Sequence, residues 1–201
     1  MTPDLPTLTP KAAEIVAVTR ALLANGGYSS FSYADIAAQV HISKPSIHHH
    51  FPSKAQLVQV VVALYRAEAR GGMAAMDAQI GDPQAELGAF VDFWAQCLAD
   101  KTMPFCICAM LASELPTLPD EVAAEVRGHF EDLSGWLAQV LERGLALGQL
   151  RLLGSPANEA RLLMATVHGA MLSARALGDV QVFRSIAQSA VQRLLATASW
   201  H

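Results

Sequence analysis

The sequence predicts an all-α protein of about nine helices, on three observations. Apolar residues recur at intervals of three and four, runs of β-branched alternation are missing, and nearly every apolar segment opens on a cap or a proline. Composition agrees with a compact globule: 52% of residues are hydrophobic and 6% aromatic, in a chain of 201 residues that can bury a sizeable core.

Three prolines among the first ten residues predict an extended arm. The first helix is expected from Lys11 to Asn25, with Ile15, Val18 and Leu22 on its buried face and Gly26-Gly27 ending it. Ser32 followed by Asp35 is a capping box for a short second helix. Ser43 caps a third, with Pro45 in its first turn, where a missing N–H costs nothing, and Pro52 stops it after Phe51. Ser53 and Gln56 open a long fourth helix whose face is Leu57, Val60, Val61 and Leu64. Further helices are expected from Asp82 to Ala99, Cys106 to Glu114, Asp120 to Ala146, Ser155 to Gly178, and Asp179 to Ala198. Three short helices give way to longer ones at Lys54, which sets domains of residues 1–54 and 55–201.

Net charge is -4, yet residues 1–54 hold Lys11, Arg20, Lys44 and Lys54 against Asp4, Glu14 and Asp35, leaving -5 on the remainder. A mildly basic head on an acidic body excludes a protein that coats nucleic acid over its whole surface. The N-terminus lacks a signal-peptide pattern and no segment is apolar enough to span a bilayer. Cys97, Cys106 and Cys108 are an odd count without a framework spacing, which predicts free thiols and a cytoplasmic setting.

Two short helices joined by a tight turn have the proportions of a helix-turn-helix, whose second helix enters the DNA major groove. Ile36, Ala37, Val40, Ile42, Ile47 and Phe51 form the set that locks helix to helix. Lys44, Ser46, His48, His49 and His50 then point outward, followed by Lys54. Helix N-termini at Ser32 and Ser53 add free backbone N–H groups that can meet phosphate. The three consecutive histidines have three readings. A metal site fails on geometry, because neighbours on a helix point ~100° apart and cannot converge on one ion. A tag fails on position, and a DNA-facing surface fits better than a merely solvated one. With few strong cations, such a head needs a two-fold dimer on a palindromic site to gather enough phosphate contacts.

The stretch "GGYSSFSYADIAAQVHISKPSIHHHFPSKAQL" resembles the DNA-binding domain of the TetR family of bacterial transcriptional repressors, over residues 11 to about 58. The resemblance implies double-stranded DNA as partner and contacts from Ser32, Tyr33, Ser43, Lys44, Pro45, Ser46, His48, His49, His50 and Lys54. The family's usual pattern has tyrosine where this chain has His48, and commonly glycine in the turn where it has His41.

The last two helices carry small residues in rows: Ala165, Gly169, Ser173, Ala170 and Ala174 on one, Ala187 and Ala190 on the other. Such rows fit either a helix pair within one chain or a subunit interface, and the resemblance implies a homodimer. Phe90, Phe93, Trp94, Cys97, Met103, Phe105, Met110, Trp136, Met164, His168 and Met171 are bulky or soft residues that alone read as packing. The resemblance implies that they line a site for a small, mostly apolar effector, whose arrival tilts the fourth helix and separates two DNA-reading heads.

Pro104 places Cys106 in the first turn of a short helix, whose dipole favours a thiolate, although a cysteine in an apolar helix also reads as an inert core residue. Cys106, Leu111 and Glu114 match the Cys-x-x-x-x-Leu-x-x-Glu pattern of a NemR-like subgroup of the family, which implies electrophile or oxidant sensing at Cys106. That subgroup uses a lysine where this chain has Arg175. Thiol sensing and reversible ligand binding both stay open. A helical enzyme is the rival from another class, but Glu125 and His129 stand alone as an exposed pair, and phosphate loop, nucleophile elbow and Cys-x-x-Cys are missing. No cofactor or metal is expected.

Overall fold

The computed structural model describes residues 8–100 and 104–196. Among the described residues the helices are α1 Pro10–Gly26, α2 Tyr33–Val40, α3 Lys44–His50, α4 Lys54–Gln79, α5 Pro83–Asp100, α6 Ile107–Ala112, α7 Asp120–Ala146, α8 Pro156–Leu177 and α9 Val180–Gln192. Single 3₁₀ turns lie at Tyr28–Ser30 and Leu115–Thr117, and no strand forms among the described residues beyond an isolated bridge between Leu150 and Leu195.

The helix starts follow the chemistry of their caps. Ser32 and Asp35 form a reciprocal capping box at α2. Ser43 accepts from Ser46 N, Ser53 from Gln56 N, Ser155 from Asn158 N and Asp179 from Gln181 N. Each satisfies N–H groups that have no partner inside the helix.

The chain folds as two compact units. One comprises residues through Ala69 with Phe105–Phe130, the other Arg70–Pro104 with residues from Glu131 onward, so α4 and α7 each contribute to both.

In the first unit the buried faces differ from the expected ones. On α1 they are Ala12, Ile15, Thr19, Leu23 and Ala24 rather than Ile15, Val18 and Leu22. A polar residue tolerates this burial because the Thr19 hydroxyl donates to Ile15 O at 2.8 Å. On α4 they are Leu57, Val58, Val61, Val62 and Tyr65 rather than Leu57, Val60, Val61 and Leu64, and the buried Tyr65 hydroxyl donates to the Cys106 thiol at 3.4 Å. Glycine at 128 lets α7 approach the Arg66 guanidinium, with which any Cβ there would overlap. Arg66 pairs with Glu125 at 3.2 Å.

In the second unit α9 packs along α8 and against α5; α8 buries Leu163, Val167, Ala170, Met171 and Ala174, and α9 buries Phe183, Ala187 and Val191. The small-residue row divides: Ala170, Ala174 and Ala187 are buried, whereas Ala165 and Gly169 are exposed. Glu86, buried in the first turn of α5, pairs with Arg143, which also reaches Asp77, and the Trp136 indole N–H donates to Asp77 at 2.9 Å.

Candidate nucleic-acid interface and buried thiol

The turn from α2 to α3 is made by His41 in the left-handed conformation, φ 56° and ψ 44°, and its N–H returns to Ala37 O. Ile36, Val40, Ile47 and Phe51 are buried across the helix pair, with Ala37 and Ile42 half-buried at its edge. Locking these positions inward fixes what α3 presents outward. Lys44, Pro45, His48 and His49 are exposed, and Ser46 and His50 half-buried. The His48 and Tyr33 rings meet at a tilt of 58° with centroids 4.7 Å apart, and His48 Nδ1 lies 3.2 Å from Pro52 O. His49 and His50 meet edge to face at 5.6 Å.

Three residues expected at this surface are engaged elsewhere. Tyr33 is buried, its hydroxyl donates to Phe51 O at 2.9 Å, and burial first and the neighbouring Tyr28 second push its pKa up to about 12. Ser32 is exposed but bonded to its own helix: Oγ donates to Asp35 Oδ2 at 2.8 Å and accepts from Ala34 N at 3.2 Å. Those bonds from Ser32 hold the Asp35 carboxyl below its ordinary pKa. Lys54 turns inward. Its ammonium donates to Tyr28 O at 2.6 Å and to Phe31 O, and lies 4.6 Å and 4.1 Å from the centroids of those two rings. Burial pulls its pKa below the usual lysine value. A cation at a helix start reads as outward from sequence alone, since carbonyls 23 and 26 residues earlier leave no local mark.

The Glu114 carboxylate also meets the Tyr28–Ser30 turn, accepting from Tyr28 N at 2.6 Å and Ser29 N at 3.0 Å. The Cys-x-x-x-x-Leu-x-x-Glu spacing pointed at this residue without indicating what it binds.

Cys106 is the N-cap of α6, one residue before the helix, and is fully buried. Tyr65 donates to its sulfur, and His129 Nε2 lies 3.8 Å from it. The expected stabilisation of a thiolate does not prevail: burial pushes the Cys106 thiol up, against smaller downward effects from Tyr65 and the Ala109 and Cys108 N–H groups. Cys108 is buried and pushed well up in turn. His129 is buried and Glu125 is paired with Arg66, so the two are not an exposed helix pair. Cys97, Cys106 and Cys108 are all buried thiols outside any disulfide.

The residues expected around an effector divide between the units. Phe105 and Met110 belong to the first. In the second, Phe90, Trp94, Cys97, Trp136 and Met171 are buried, Met164 and His168 half-buried, and Phe93 is 46% exposed. Phe90 and Trp136 meet edge to face at 5.8 Å, and burial drives the His168 pKa down to about 4. Met103 lies outside the described residues. Among the described residues, no group of three His, Cys, Asp or Glu side chains is arranged to hold a metal ion, and no helix is long and apolar enough to cross a membrane.

Residues 15–61 match the family model for bacterial regulatory proteins of the tetR family, and residues 83–190 that for the tetracyclin repressor-like C-terminal domain. No curated protein matches the chain. Among solved structures, a TetR-family transcriptional regulator from Agrobacterium tumefaciens is 52% identical, covers 92% of this chain and 98% of its own, and superposes with a TM-score of 0.91. A TetR transcriptional regulator from Legionella pneumophila is 25% identical over 94% of this chain and 100% of its own, with a TM-score of 0.83. Reduced NemR from E. coli has the same fold at 19% identity, over 94% of this chain and 99% of its own, with a TM-score of 0.80. Family models that match both the helix-turn-helix segment and the later helices, and a regulator sharing half its residues along nearly its whole length, make this chain a member of the TetR family of bacterial transcriptional regulators.

Proposed function

We propose that the protein binds a palindromic operator in double-stranded DNA as a homodimer, through α3, and is released by a small, mostly apolar effector. The observation that carries the reading is the outward set on α3, Lys44, Pro45, His48 and His49, held by a buried α2–α3 contact. Residues 1–54 are assigned to DNA reading and 55–201 to effector binding and dimerisation. That functional division differs from the compact units, in which the first half of α4 and Phe105–Phe130 pack with the N-terminal helices.

Dimerisation is supported by α8. Leu162, Ala165, Gly169, Leu172 and Ala176 recur at intervals of three and four, and all are exposed, with Leu162 at 61% and Leu172 at 59%. An apolar stripe with glycine and alanine at its centre lets a second helix approach closely. A reversible ligand is supported by the buried edge-to-face pair Phe90–Trp136 and the buried Trp94 and Met171 of the second unit, where burial also keeps His168 neutral. A second reading, release through modification of Cys106, is favoured by the Tyr65 hydroxyl and His129 ring that face its sulfur. Thiols outside any disulfide support a cytoplasmic setting, and the relatives are regulators rather than enzymes.

Selection of bound fragments from a genomic DNA pool, repeated across salt concentrations, tests the proposal. Enrichment of a palindrome whose affinity falls steeply with salt is expected. Failure to enrich any fragment would remove DNA binding from the reading.

A further inference from the structure

The segment Gly27–Phe31, which joins α1 to α2, is gripped by two charged side chains distant in sequence. Glu114 accepts from Tyr28 N and Ser29 N, and Lys54 donates to Tyr28 O and Phe31 O. Gly27, at φ 80°, allows this approach, because a Cβ there would overlap Glu114 Oε1. Both grips use a full charge on backbone dipoles, the stronger class of hydrogen bond.

The two side chains come from segments with different neighbours. Lys54 opens α4 directly after α3 and Phe51. Glu114 closes the segment that starts at Cys106, and its own N–H bonds to Leu111 O at 3.0 Å, which ties its position to α6. Cys106, the residue before α6, has its sulfur against the Tyr65 hydroxyl on α4. Glu114 is thus bonded on one side to Leu111 of α6 and on the other to the two N–H groups of the turn.

We propose that Glu114 is a positioning residue that couples the α6 segment to α3 through the Gly27–Phe31 turn. With the carboxylate in place the turn is held at both ends, and α2 and α3 keep the pose that presents Lys44, His48 and His49. With it withdrawn, Tyr28 and Ser29 lose their acceptor and the turn loosens, which frees α2 to move against α1. The inference rests on the reading that α3 meets DNA, and it goes beyond that reading by naming the residue through which a change at α6 reaches it.

The test compares wild type, Glu114→Gln and Glu114→Asp by amide hydrogen exchange and by affinity for a promoter-derived DNA fragment across salt concentrations. For Glu114→Gln, exchange is expected to accelerate about tenfold or more at residues 28–29 and also at residues 43–51, equivalent to about 1.4 kcal/mol of lost protection. Affinity is expected to fall about tenfold with the salt slope unchanged, because no phosphate contact is lost. Simple electrostatics predicts the opposite sign, since removing a negative charge strengthens DNA binding. Glu114→Asp keeps the charge on a shorter stem, and intermediate values are expected; it decides the question if Glu114→Gln does not fold. Faster exchange confined to residues 28–29, or an unchanged or higher affinity, would overturn the proposal. Absence of DNA binding by wild type would count against the DNA reading instead, and the exchange measurement would still judge the coupling.

Discussion

Tyr33 donates its hydroxyl to the backbone carbonyl of Phe51 at 2.9 Å, joining the first residue of α2 to the residue that ends α3. The bond is buried, and it fixes α3 by a point at its C-terminal end while Ile47 fixes its middle. Tyr33→Phe keeps the ring against His48 but leaves a buried carbonyl without its donor, which costs about 1–2 kcal/mol. A lower denaturant midpoint with an unchanged slope is expected, together with weaker operator binding. Full stability in Tyr33→Phe would show that the bond contributes nothing to holding the helix pair.

His41 is, among the described residues, the non-glycine residue with a positive φ. The left-handed conformation crowds Cβ against its own carbonyl at about 1–2 kcal/mol, and glycine avoids that cost while adding entropy to the unfolded chain. His41→Gly is therefore expected to stabilise the protein by up to about 1 kcal/mol, read as a rise in the thermal midpoint. A fall would mean that the imidazole makes a compensating contact.

These two residues illustrate what was legible in the sequence. Caps act within three residues of themselves, so Ser32 with Asp35, Ser43, Ser155 and Asp179 could be read directly, and with them the helix order. The outward placement of His48 and His49 followed from the apolar spacing of Ile36, Val40, Ile47 and Phe51. Tyr33, Lys54 and Glu114 were read as surface or motif residues because their partners lie 18 to 86 positions away. No periodic pattern carries such a pairing. The buried faces of α1 and α4 differ from the expected ones for a related reason. Thr19 and Tyr65 look polar in a pattern count, yet each has a hydrogen-bond partner in the core, so burial costs them little.

His168 gives the stability a pH dependence of definite sign. Burial lowers its pKa from 6.5 to about 4, so between those values the unfolded chain binds a proton that the folded protein refuses. The stabilising contribution is present above about pH 6.5 and is lost as pH falls toward 4, amounting to about 2 kcal/mol once its partial exposure is allowed for. Thermal midpoints of wild type are expected to drop more steeply across this interval than those of His168→Gln. Parallel curves for the two proteins would place the acid sensitivity elsewhere.

The environment of Cys106 separates accessibility from reactivity. The sulfur is fully buried and its pKa is raised, so at neutral pH it is a thiol that reagents reach only when the segment opens. If that opening costs about 3 kcal/mol, N-ethylmaleimide should label Cys106 in the native protein about 100-fold more slowly than in the unfolded chain. Cys97 and Cys108 are buried as well, so site assignment by mass spectrometry and a Cys106→Ser control are needed. Slow labelling would favour reversible ligand binding as the release mechanism, because a sensor must react faster than its segment opens by chance. Rapid, selective labelling of Cys106 would instead show that the native state opens readily around α6, and would make the thiol itself the trigger. Release of DNA should then follow the labelling time course and vanish in Cys106→Ser.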